Sequence, residues 1–281
     1  MGDVKYNVDM ADYLLTRNEY RGALSFLIIA VAASSTKLFP PGTDSIDNPP
    51  KKPGRHNEMP DGEKFKRFLG PRILNIVFNS SIKEDGMHSY LPKIISEANS
   101  PEEIIYKECR CPLIHNGVLP DSVIFVVDSE LSTAGISFEY SDGVFKFNSG
   151  FLSLLREAVV GSHVNANEFN VHHFEPRTKD NGNIDDFYLS VGEDIGLTPG
   201  RVKVVSYILC DIYNDNPNIT IPDLIERCNL NISSMAGHAT FSQNSWGEGE
   251  PLCTYEGNVT DTAKKCIEKV IAGLDFVDIG R

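Results

Sequence analysis

The stretch Glu19–Phe39, EYRGALSFLIIAVAASSTKLF, limits what this chain can fold into more than any other. Leu24, Leu27, Ile28, Val31 and Ser35 recur at helical spacing, and Phe26, Ile29 and Ala30 extend the apolar surface nearly all the way round. A helix of that kind must be covered on every side, so it predicts the centre of a helical bundle. Ala23, Ala30, Ala33 and Ser34 are small enough to let neighbouring helices come close. Pro40-Pro41 ends the helix, because proline cannot supply the next backbone donors. The unbroken apolar part, Leu24 to Ala33, is interrupted by Ser25 and reaches about half the length a membrane span needs.

Around this helix the pattern predicts a mainly α protein. Residues 40–62 hold six prolines and no periodicity, which reads as a long, mobile surface loop; it carries a small basic cluster, Lys51, Lys52, Arg55 and His56. A second helix begins near Asp61, with Phe65, Phe68, Leu69, Ile73, Leu74 and Val77 on its apolar face and Pro71 as a kink or break. A short amphipathic piece covers Ser89 to Ala98. A further helix starts at Ser100, with Pro101 at its first position, Glu102 and Glu103 at the positive end of its dipole, and Asn116-Gly117 as its stop. The period then shortens: Val123–Val127, Ile136–Tyr140 and Val144–Phe147, with a turn at Ser141-Asp142-Gly143, predict a β-hairpin within 123–147. An amphipathic helix from Phe151 to about Ser162 closes the first domain, 1–164.

Residues 165–184 are polar and turn-rich and read as a linker or surface excursion. Beyond them, 185–281 predict an acidic helical domain. Helices start at Thr198-Pro199, at Thr220-Ile221-Pro222 (a short one) and at Thr260. A turn at Asn229-Leu230-Asn231 followed by a helix from Ile232 would give a helix-turn-helix or winged-helix-like arrangement.

Charge divides the chain in two. The formal net charge is −13, and all of it lies beyond residue 120, since the first 120 residues balance. An acidic half repels phosphate backbones, so nucleic-acid chemistry belongs to the first half. The six cysteines form no disulfide framework, which points to a cytoplasmic chain with reduced thiols and no membrane association.

The chemistry-bearing string is CRCPLIHNG, residues 109–117, with Arg110 and His115 five positions apart near the end of a capped helix. With the apolar helix upstream and the segment Asp61-x-x-x-Phe65-x-x-Phe68, it resembles the Arg-x4–6-His signature of the HEPN superfamily over about residues 10–165. That resemblance implies a helical bundle with metal-independent endoribonuclease activity, of the bacterial toxin or phage-defence kind, and a homodimer whose motif helices meet. It implies Arg110 and His115 as catalytic residues, Asn116 as a substrate contact and no cofactor; the basic cluster of the loop offers Lys51, Lys52 and Arg55 as further RNA contacts, beside the plainer reading of that loop as a solvated flexible insertion. The residue types suit the reaction. Histidine titrates near neutrality and can take or give the proton of an attacking 2′-OH, while arginine presents a planar fork to a phosphate gaining charge.

Geometry sets a condition. At about 100° per residue, five positions place the two side chains roughly 140° apart on an ideal helix. They share a face only if Pro112 distorts the turn, or else each faces a site completed by a second copy. The same residues also admit a structural use, with Arg110 paired to an acid such as Glu103 or Glu108 and His115 closing the helix.

Other constellations are weaker. Cys109 and Cys111 point to opposite sides of a helix and read as small core residues. His172-His173 with Glu175 lacks a third metal ligand at a plausible spacing, and Cys228, His238 and Cys253 lack paired zinc spacing. There is no P-loop, dinucleotide fingerprint or nucleophile elbow. Ile232–Asn244 contains no Lys or Arg, so the second domain reads as a protein-contact or structural module before a DNA reader. The alternatives to a ribonuclease are a non-catalytic HEPN-like binding or dimerisation module and a helix-turn-helix regulator.

Overall fold

The structure is a computed structural model that describes residues 3–52, 54–78, 100–127, 135–236, 241 and 250–280. It is mainly helical with two small sheets, and it divides into two compact units, 1–169 and 170–281.

The first unit opens with α1 (Val4–Leu15), capped by the Asp3 side chain on the Tyr6 N–H. Val4, Val8 and Ala11 lie on its buried face. Its apolar positions are interleaved with Lys5, Tyr6, Asn7 and Asp9, and no helix was expected there. The predicted central helix is α2 (Tyr20–Leu38), in contact with α1, with α3 (Asp61–Phe78) and with α6 (Ser149–Val160). Leu24, Leu27, Ile28 and Val31 are all fully buried; burying each apolar side chain of this size contributes about 1.5–3 kcal/mol. By length and composition alone α2 could cross a membrane, but in this unit it forms the middle of the core. Pro71 does not divide α3, which is a single helix.

The proline-rich loop departs from expectation. It forms no regular element, but its described residues are held at several points. The Glu63 carboxylate in the first turn of α3 accepts hydrogen bonds from the Ser45 hydroxyl (2.7 Å), the Ile46 N–H (2.8 Å) and the Asp47 N–H (3.0 Å). Arg67, one turn on, donates to Glu63 (2.9 Å) and pairs with Asp47. Asp44 and Glu58 form an antiparallel bridge that draws the two arms of the loop together. Buried carboxylates demand such donors, and they are supplied here by loop backbone. The piece expected at Ser89–Ala98 lies outside the described residues.

The predicted hairpin is part of a three-stranded sheet. β2 (Phe138–Ser141) and β3 (Val144–Phe147) form the hairpin, turning at Asp142-Gly143 with both φ values positive (50° and 77°). β1 (Val123–Phe125) is not its partner strand. It lies parallel to β3 on the other side, with Val123 opposite Phe145 and Phe125 opposite Phe147, giving the order β1-β3-β2. The buried Phe145 and Phe147 rings meet Phe151 of α6, which ties the sheet to the bundle.

The first unit ends with the short α7 (Ala166–Phe169), and the second unit begins in the stretch read as a linker. Residues 174–178 are β4 (Phe174–Thr178), paired antiparallel with β5 (Leu274–Asp278). Between them run α8 (Ile184–Ile195), α9 (Pro199–Asp215), α10 (Ile221–Ser234) and α11 (Asp261–Gly273). Side chains of Asn183, Thr198, Thr220 and Thr260 cap their N-termini. The helix expected to be short is α10, and it runs unbroken through Asn229-Leu230-Asn231. The turn needed for a helix-turn-helix is therefore absent: Leu224, Cys228 and Ile232 sit one turn apart on a single buried face, and that periodicity carries the helix through the Asn residues. This removes the structural basis for a helix-turn-helix regulator at that position.

Candidate functional site

The predicted motif helix is interrupted. It starts as α4 (Pro101–Ile105), widens into a π-helical turn over Tyr106–Arg110, and resumes as α5 (Cys111–Asn116). Ser100 occupies the cap position but makes no side-chain cap bond; its carbonyl accepts from the Glu103 and Ile104 N–H groups. Pro112 accounts for the widening. In a regular helix it would leave the Glu108 carbonyl without a donor and press its ring against that group, and an extra residue in the preceding turn relieves both. The Cys111 N–H accordingly donates five residues back, to Tyr106. Gly117, at φ 73°, ends α5 in the left-handed conformation expected of an Asn-Gly stop.

The wide turn ends at Arg110 and does not lie between Arg110 and His115. The intervening residues are α-helical, so the two side chains keep their separation of about 140° around the axis. The condition set by the spacing is not met within one chain. Arg110 turns toward α3. Its Nη2 donates to Asp61 Oδ2 at 3.2 Å, its guanidinium lies 5.6 Å from the centre of the Tyr106 ring, and its Nε is buried with no hydrogen-bond partner among the described residues. His115, Asn116 and the flanking Ile114 and Val118 are exposed, and His115 has no hydrogen-bond or ion-pair partner among the described residues. Arg110 thus does pair with an acid, and that acid is Asp61 rather than Glu103 or Glu108. Glu103 pairs with Lys107, and Glu108 accepts from the Tyr140 hydroxyl at 2.9 Å.

Four further contacts fix the motif helix. Tyr106 packs so tightly on Gly62 that a Cβ there would sit 3.1 Å from the ring, which lets the first turn of α3 approach Arg110. The Tyr140 bond ties the π turn to β2. Arg21 of α2 donates to the carbonyls of Leu119 and Pro120, fixing the chain beyond Gly117. Cys109 is fully buried among the core side chains, and burial pushes its thiol up to about 12, so it carries no thiolate chemistry. Burial, followed by the neighbouring Cys111, likewise raises the Tyr106 phenol.

Lys51, Lys52 and Arg55 are exposed and line a cavity of about 390 Å³ with Asp44, Pro50, Gly54 and His56. His56 Nδ1 lies 3.3 Å from Asp44 Oδ1. The structure thus brings the basic residues of the loop together. Arg110 contacts Asp61 and the loop is held by Glu63, so a single helical turn positions both groups. Asp61, Glu63 and Tyr140 had no assigned role in the sequence. Only the Asp-x-x-x-Phe-x-x-Phe string pointed at Asp61, and nothing local marked the other two.

In the second unit, His172 Nδ1 bonds Asp278 Oδ2 at 2.7 Å, joining the entry to β4 with the end of β5. Burial acts to raise the Asp278 carboxyl, but the bonds from His172, His173 and Gly280 outweigh it and hold it below the usual range. Among the described residues, no group of three His, Cys, Asp or Glu side chains is arranged to hold a metal ion.

The chain belongs to the Rv1289 family, which it matches over residues 3–184. The match covers the first unit from the cap of α1 and extends through β4 to the first residue of α8. No curated protein and no solved structure matches the chain.

Proposed function

We propose that the chain is a HEPN-like, metal-independent endoribonuclease that acts in the cytoplasm as a homodimer, of toxin or phage-defence type. The observation that carries the reading is the state of the motif helix: the Arg110 guanidinium is oriented by the Tyr106 ring and donates once to Asp61, while His115 and Asn116 stand exposed and unengaged among the described residues. A histidine with no structural partner among the described residues, at the end of a braced helix, is placed to do chemistry.

In the proposed reaction His115 takes the proton from a ribose 2′-OH, the oxygen attacks the adjacent phosphate, and the 5′-oxygen leaves with a proton returned by an imidazole. Arg110 neutralises the charge that accumulates on the phosphate oxygens, and Asn116 orients the phosphate or the ring. Because the two side chains diverge on one helix, the site takes Arg110 from one copy and His115 from another. Ile114 and Val118, exposed beside His115, supply apolar surface for that meeting. Lys51, Lys52 and Arg55 would receive the flanking backbone, and the acidic second unit would contact a protein partner.

The test is RNA cleavage in EDTA by wild type, His115→Ala and Arg110→Ala. Cleavage by wild type, lost in both variants, is the expected result; no cleavage by wild type sinks the reading. A second reading, a non-catalytic HEPN-like binding module, is favoured by the Arg110–Asp61 pair, which already neutralises the arginine. It predicts RNA binding or dimerisation without cleavage.

A further inference from the structure

We propose that Asp61 is an internal stand-in for substrate phosphate at Arg110, and that binding exchanges one anion for the other. The inference rests on the reading of Arg110 as the phosphate contact and adds a residue that sets its selectivity.

Four observations lead there. The contact is a single 3.2 Å bond from one guanidinium nitrogen to one carboxylate oxygen, so it uses a small part of what arginine offers. The Asp61 side chain is 69% exposed while Arg110 is 16% exposed, so the carboxylate can swing into water without uncovering core. Asp61 is not what orients the arginine: the Tyr106 ring beneath the guanidinium does that, and Gly62 fixes the ring. Finally, Nε of Arg110 is buried and has no hydrogen-bond partner among the described residues, a donor that one end-on carboxylate oxygen leaves unmet and that a side-on phosphate, after a small rotation, can fill.

Arg67, one face of α3 away, shows what a permanent pair looks like. It is buried, it bonds two carboxylates, and one of them, Glu63, is as buried as itself. Arg110 lacks every one of these features.

The exchange has a consequence for selectivity. A phosphodiester carries one negative charge, like the carboxylate it must displace, so charge alone gives it no advantage. It prevails by adding donors at Arg110 and by adding contacts elsewhere on the same strand. The loop bearing Lys51, Lys52 and Arg55 is held by the same turn of α3 and offers those contacts. Isolated small anions are turned away; a polyanionic strand is admitted.

The experiment is binding of a short 2′-O-methyl RNA oligomer, which cannot be cleaved, followed by fluorescence anisotropy at fixed ionic strength. Wild type, Asp61→Asn, Arg110→Ala and the double variant are compared. Asp61→Asn is expected to bind about fivefold tighter, the size of an exposed ion pair no longer competing. Arg110→Ala weakens binding, and in that background Asp61→Asn has no further effect. Weaker binding by Asp61→Asn would overturn the exchange and make Asp61 a support for Arg110. An equal gain in both backgrounds would overturn it too, as a general charge effect. If Arg110→Ala leaves affinity unchanged, the phosphate-contact reading itself fails, which is a separate outcome from failure of the exchange alone. Melting curves confirm that the Asp61 variants are folded.

Discussion

The first turn of α3 carries two carboxylates, two residues apart, that have been put to opposite uses. Glu63 is buried, bonded by two loop N–H groups, a serine hydroxyl and Arg67, and cannot be removed without stranding all of them. Asp61 is exposed and makes one bond to Arg110. The same residue chemistry is a foundation in one place and a replaceable contact in the other. What separates them is whether both partners have left water: desolvated charge must be matched in full, whereas a solvated carboxylate is matched equally well by solvent.

The comparison can be broken by mutation. The largest effect is expected from Glu63→Ala, which leaves Arg67 buried with one partner fewer; it lowers stability by about 3–5 kcal/mol in chemical denaturation and frees the basic loop to proteolysis. Glu63 also sets an acid limit. Burial acts to raise its carboxyl, but the bonds from Ser45, Asp47, Arg67 and Ile46 outweigh that and lower it below the ordinary range. A group lowered in the folded state stabilises above its unfolded value, and that contribution is lost as pH falls through its folded value. Stability measured downward through the acid range should therefore fall in wild type and show a flatter fall in Glu63→Gln. Tyr140→Phe removes the bond to Glu108 that joins β2 to the π turn, costing about 0.5–1.5 kcal/mol. Asp61→Asn changes stability by less than about 1 kcal/mol. The smallest effect falls on His115→Ala, within about 0.5 kcal/mol, because nothing depends on its side chain. A large loss of stability in either of the last two would erase the contrast between foundation and replaceable contact.

What could be read in the chain follows the range of the interactions involved. α2 was plain because its apolar residues are contiguous, and the starts of α9 and α11 were plain because a cap and the turn it closes lie within four residues. The hairpin turn was visible in Asp142-Gly143 for the same reason. α1 was missed because Val4, Val8 and Ala11 are spaced among polar neighbours. The strand at β1 is legible as an apolar run, but its parallel pairing with β3 is not, because strand order depends on residues about twenty apart rather than on a turn. At the site, the string that holds Arg110 and His115 is legible, and so is Pro112 as a residue able to distort the helix. The direction of that distortion is not: the missing donor acts on the carbonyl before it, upstream of Arg110. Asp61 escaped a role because it meets Arg110 across 49 positions, and Glu63 because the loop that it holds looks structureless on its own.

The pairing of β4 with β5 governs how the second unit comes into being. Phe174 lies opposite Asp278, and the rings of Phe174 and Phe276 both pack on Tyr213. The first strand of the unit therefore has no partner until the last strand has been synthesised. α1 and α2, adjacent in sequence and packed together, need no such wait. During translation the first unit can condense as it emerges, while the second stays open, with the edge of β4 uncovered, until residue 278 has cleared the ribosome.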